Sequence, residues 1–70
     1  MTAYHHYLIR ESQGNKEVLA GMLYLDLYEQ NPQAYELLGD KTLDLEKPLE
    51  CKATLEEIAQ QLIDKANVKN

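Results

Sequence analysis

Between Val18 and Tyr28 only Asp26 is charged, and Leu19, Met22, Leu23 and Leu27 recur at helical spacing. Val18, Leu25 and Tyr28 widen this stripe until most of the circumference is apolar. The pattern predicts a helix over 16–30. A helix apolar on most sides is expected to be buried on most sides, as the central post of the domain or between two subunits. Gly21 costs about 1 kcal/mol relative to Ala inside a helix, so its place beside Ala20 suggests that a second element passes close there. Upstream, Tyr4, Tyr7, Leu8 and Glu11 also fall at helical spacing. SQGN at 12–15 is a turn signal, with Asn15 placed to cap the following helix. The competing reading makes 4–11 a strand, with Tyr7 and Ile9 on one face and QGNK as a hairpin turn. Abundant Leu, Ala and Glu with few β-branched residues favours helices.

Asn31-Pro32 interrupts the pattern and restarts it: Asn31 suits an N-cap, Pro32 the first helical position, and Gly39 the stop after QAYELL. Thr54 and Glu57 match the S/T-x-x-E capping box, which predicts a last helix from Thr54 to about Asn67. Its apolar face is Leu55, Ile58, Ala59, Leu62, Ile63 and Ala66.

The 14 residues from Asp40 to Ala53 are left between helices, and a structureless connection of that length is unusual in so small a domain. Within it, TLDLEKPLEC at 42–51 alternates: Leu43, Leu45, Leu49 and Cys51 at odd positions, Asp44, Glu46 and Glu50 at even ones. That period predicts an extended segment with its odd residues buried and its acids exposed. Pro48 confines it to an edge strand or a strap across the helices. The fold expectation is a mainly α, single domain over 1–70, with three to four helices and one extended segment at about 42–51. The alternative is α+β, with strands near 4–11 and 42–46.

Composition narrows the class of function. Twelve acidic against seven basic residues give a net charge of −5, with Arg10 the one arginine. Phosphate neutralisation by Lys and Arg supplies most non-specific nucleic-acid affinity, so direct nucleic-acid binding is not expected. ATLEEIAQQL at 53–62 resembles the first helix of helix-turn-helix DNA-binding proteins. The following IDKANVKN offers no glycine turn or recognition helix, and the assignment is rejected. Met1–Arg10 lacks a basic leader joined to an apolar block, and Val18–Leu25 is far short of the roughly 20 residues that span a bilayer. No membrane association and a cytoplasmic location are therefore expected. Cys51 is the only cysteine, so no internal disulfide forms.

Candidate chemistry is sparse. His5-His6 cannot readily converge on one ion, since adjacent residues diverge on a helix and oppose one another on a strand. One partly buried and one exposed histidine is the plainer expectation. Cys51 has no glycine-rich elbow or oxyanion motif beside it, and its alternating neighbours suggest a small buried hydrophobe. No catalytic residue, cofactor or metal is expected, and no enzyme. The five tyrosines point elsewhere, because tyrosine fills space while keeping a hydroxyl for a partner. Tyr24 and Tyr28, one turn apart, are interaction candidates, with Asp44, Glu46 and Glu50 as an acidic surface.

A domain of this size without disulfide or metal is expected to be a homodimer, joined through its central or C-terminal helix. Small acidic proteins of bacteria, phages and plasmids often act as regulators, adaptors or inhibitors. The expected function is therefore a non-catalytic interaction module docking on the basic surface of a protein partner, a nucleic-acid-binding protein being one version. The alternative is a structural or assembly component acting through self-association.

Overall fold

Each helix begins where a side chain or a proline resolves the problem of unpaired backbone N–H groups. The computed structural model describes residues 1–67, and in them four helices: α1 (Ala3–Ser12), α2 (Lys16–Tyr28), α3 (Pro32–Leu38) and α4 (Pro48–Asn67). Thr2 caps α1 by accepting from the His5 backbone N–H at 3.2 Å, and His5 Nδ1 accepts in return from the Thr2 N–H at 3.4 Å. This is a capping box with histidine in the place usually held by Glu or Gln. Asn15 caps α2 through bonds from the Glu17 and Val18 N–H groups, and Asn31 caps α3 ahead of Pro32, as their sequence positions suggest. Gln13 and Gly14 turn the chain between α1 and α2, and Gln30 turns it between α2 and α3. All three sit in the left-handed region, an uncommon place for the two glutamines.

The core is drawn from all four helices. Leu8, Leu19, Leu23, Leu27, Leu55 and Cys51 are almost wholly enclosed. The most extensive packing is between α2 and α4, and α2 also touches α1 and α3, so it is the hub of the fold. The Tyr24 hydroxyl donates to the Leu45 carbonyl at 2.6 Å, just ahead of α4. The second half of α2 therefore lies beside the beginning of α4. Between α1 and α2, the buried Tyr4 donates its hydroxyl to Asp26 Oδ2 at 2.5 Å.

The segment 42–51 departs from its expected extended form. Asp44 to Lys47 is a tight turn: the Lys47 N–H bonds the Asp44 carbonyl at 2.9 Å, and the Glu46 N–H bonds Asp44 Oδ1 at 3.0 Å. Pro48 then stands at the first position of α4, where its missing N–H costs nothing. The Lys47 carbonyl accepts from both Glu50 and Cys51 and closes the first turn. Only part of the alternation holds. Leu43 and Leu45 pack against the core and Cys51 is buried, but Leu49 is 87% exposed. On a helix, residues two apart point about 200° apart, so Leu49 and Cys51 cannot share a face.

Three further expectations are corrected. Residues 4–11 are helical and 42–46 form no strand, so the α+β alternative fails among the described residues. The last helix starts at Pro48, six residues before the Thr54–Glu57 pair, which lies mid-helix. And α2 is not enclosed on most sides: Val18, Leu25 and Tyr28 are exposed, and no atom of another element lies within 4 Å of where a Gly21 Cβ would stand. The close neighbour that Gly21 suggested is absent.

Candidate functional site

The outward arc of α2 is the surface that the core does not account for. Leu19, Ala20, Leu23 and Leu27 face inward. Glu17, Gly21, Tyr24 and Tyr28 follow one another at i, i+4, i+7 and i+11, and Val18, Leu25 and Glu29 run alongside at i, i+7 and i+11. Both rows lie on one flank by helical periodicity. Leu25 is 60% and Tyr28 66% exposed, and Val18 is about half exposed. Monomeric proteins scatter single apolar residues over their surfaces, but a contiguous apolar strip marks a contact surface.

Beside this arc runs a groove of about 200 Å³ between α2 and the start of α4. Glu17, Ala20, Gly21 and Tyr24 form one wall and Pro48, Lys52 and Leu55 the other. The bare backbone of Gly21 keeps the groove open. Lys52 is its basic group, and that ammonium lies 3.9 Å from Glu56 one turn along α4. A second hollow, of about 300 Å³, lies under the 39–45 connection, with Leu27, Tyr35, Leu38 and Leu43 among its lining. Tyr35 is tied there by its hydroxyl to the Leu27 carbonyl at 3.1 Å.

The five residues singled out from sequence fall in different settings. Tyr24 is half-buried, with its hydroxyl committed to Leu45, and it tilts against Tyr28 at 6.5 Å between ring centroids. Tyr28 itself faces outward. Asp44 and Glu46 are exposed on the turn that closes the Tyr24 end of the groove, with Asp44 Oδ1 partly engaged by the Glu46 N–H. Glu50 is exposed too, but periodicity places it on the flank of α4 away from Pro48 and Leu55. Leu25, Val18 and Gly21 complete the surface. The sequence had marked them as core and packing residues, since nothing in a continuous apolar run tells which side its neighbours cover.

The histidines and the cysteine have structural surroundings. His5 is half-buried in its capping role and His6 is exposed. Burial first, then the N-terminal ammonium, Lys65 and His6, lower the His5 pKa below its usual value, against an opposing pull from Glu36. Among the described residues no three His, Cys, Asp or Glu side chains converge as metal ligands would. Cys51 is enclosed, and its thiol donates to the Asp44 carbonyl at 3.1 Å. Burial, reinforced by the negative charges of Asp44 and Glu50, raises its pKa and suppresses the nucleophilic thiolate. Cys51 should therefore resist a thiol-reactive disulfide reagent at neutral pH and react fully in denaturant. Labelling of the folded protein at the rate of a free thiol would contradict this enclosure.

Comparison with protein-family models, curated proteins and solved structures finds no match to this chain. No described helix is long and apolar enough to cross a membrane.

Proposed function

We propose that this chain is a non-catalytic protein-interaction module, a small regulator, adaptor or inhibitor that docks on a protein partner through the outward arc of α2. The observation that carries this reading is the exposure of Val18, Leu25 and Tyr28 on a helix whose opposite face already supplies the core. The chain carries a net charge of −5, which favours a partner surface bearing basic groups. A second reading, self-association as an assembly component or homodimer, draws on Leu49. It is exposed at the start of α4, near the same groove, and a second copy would cover it.

Both readings are tested by a photo-crosslinking amino acid placed singly at position 25, 28 or 61 and irradiated in the cells that make the protein. Positions 25 and 28 should each give a discrete adduct larger than the monomer, and position 61, exposed on the far flank of α4, should not. Equal adducts at all three positions, or none at 25 and 28, would remove the α2 surface as the site of action.

A further inference from the structure

We infer that the first turn of α1 is an acid-sensitive latch, closed by neutral His5 and loosened when its imidazole is protonated. The capping box carries the inference. Thr2 Oγ1 accepts from the His5 N–H at 3.2 Å, and His5 Nδ1 accepts from the Thr2 N–H at 3.4 Å. A glutamate or glutamine in this role keeps an acceptor oxygen at every pH near neutral. Histidine does not. Neutral imidazole offers Nδ1 as an acceptor while its proton sits on Nε2, and in the imidazolium both nitrogens are donors. Protonation therefore sets one N–H against another and opens the His5 side of the box.

Electrostatics act in the same direction. The imidazolium would stand at the N-terminus of a helix, where the backbone dipole disfavours a cation. Of the charged groups facing His5, the N-terminal ammonium and His6 lie on its own turn, Lys65 on α4 and Glu36 on α3. Glu36 alone attracts the added charge. Burial is the largest influence and the cations add to it, so the His5 pKa lies below its ordinary value of 6.5. The folded chain thus binds this proton less tightly than the unfolded chain does. The stability that the latch contributes is complete well above pH 6.5 and is lost as pH falls through 6.5 and past the lower folded value. The same turn seats Tyr4, which is buried and donates to Asp26 of α2. A loosened turn therefore weakens the hold of α1 on α2.

The test compares the full wild-type chain with His5→Gln and His6→Gln. Glutamine at position 5 closes the box with an acceptor that does not titrate. Between pH 7.5 and pH 5.5 the melting temperature of wild type and of His6→Gln should fall by about 3 °C more than that of His5→Gln. The comparison is of slopes, so it survives a change in the absolute stability of either variant. In NMR titrations the His5 ring should protonate at a lower pH in the folded wild type than in the urea-unfolded chain. The Cα shifts of residues 3–6 should move toward coil values with that midpoint, and should stay helical in His5→Gln. Equal slopes in all three proteins, or a slope removed by His6→Gln instead, would overturn the inference. So would Cα shifts that stay helical through the His5 titration, or a folded midpoint at or above the unfolded one.

Discussion

Replacing Leu23 with alanine should cost about 3–4 kcal/mol, among the most damaging single substitutions this chain can carry. Leu23 is 1% exposed on the helix that contacts the other three, so its removal opens a void that no single neighbour can fill by shifting. Burial-to-cavity changes of this kind cost about 2–5 kcal/mol. A chain of 70 residues has a total stability on the order of 4–10 kcal/mol, so the variant should lose about a third of it or more. Leu25→Ala, two residues further on, removes the same atoms from an exposed site and should change stability by no more than about 0.5 kcal/mol. Urea unfolding followed by far-ultraviolet circular dichroism compares the two directly. If Leu23→Ala and Leu25→Ala cost the same, α2 does not present the faces described.

The second large effect belongs to Tyr4, which fastens α1 to α2. Tyr4→Phe keeps the buried ring and loses the bond to Asp26. Hydrogen bonds to charged groups contribute about 1.5–3 kcal/mol, and the half-exposed Asp26 can recruit water, so the cost should fall at the lower end. Tyr4→Ala removes the ring as well and should cost about 3 kcal/mol or more. The wild type should also have an alkaline signature. Burial first, then the hydrogen bond to Asp26 and its negative charge, raise the Tyr4 pKa above its ordinary value of 10. The folded state thus holds this proton more tightly than the unfolded chain does. The stability it contributes is complete below pH 10 and is lost as pH rises beyond that value. Urea midpoints from pH 8 to pH 11 should fall more steeply for wild type than for Tyr4→Phe. Parallel curves would show that Tyr4 ionises freely in the folded state.

The helical class was legible because the strongest signals were local ones. Asn15, Asn31-Pro32 and Gly39 punctuate the chain in the sequence as they do in the fold, and the spacing of Leu55, Ile58, Ala59 and Leu62 describes the buried side of α4. The 42–51 segment misled for a physical reason. A turn followed by a proline-led helix can alternate apolar and polar residues over a few positions, and period two is distinguishable from 3.6 only over longer runs. Pro48 reads equally as a break or as a first helical position, and the Thr54–Glu57 pair offered a false start further on. The docking surface was hidden more deeply. Leu23 and Leu25 are the same residue type in one apolar run, and only the placement of α4 across α2 decides which is core and which is surface.

Because α2 is the hub to which the other helices are fastened, it has little freedom to unfold alone. A ligand held on its outward arc binds only the assembled domain, and its binding free energy is added to the stability of the whole molecule by mass action. Occupancy of that one face would then register far from it, as slower amide hydrogen exchange in the interior of α4 and in α1. In a chain this small, a partner would act as a fifth element of the architecture, and the protein's lifetime in the cell would follow how often that partner is bound.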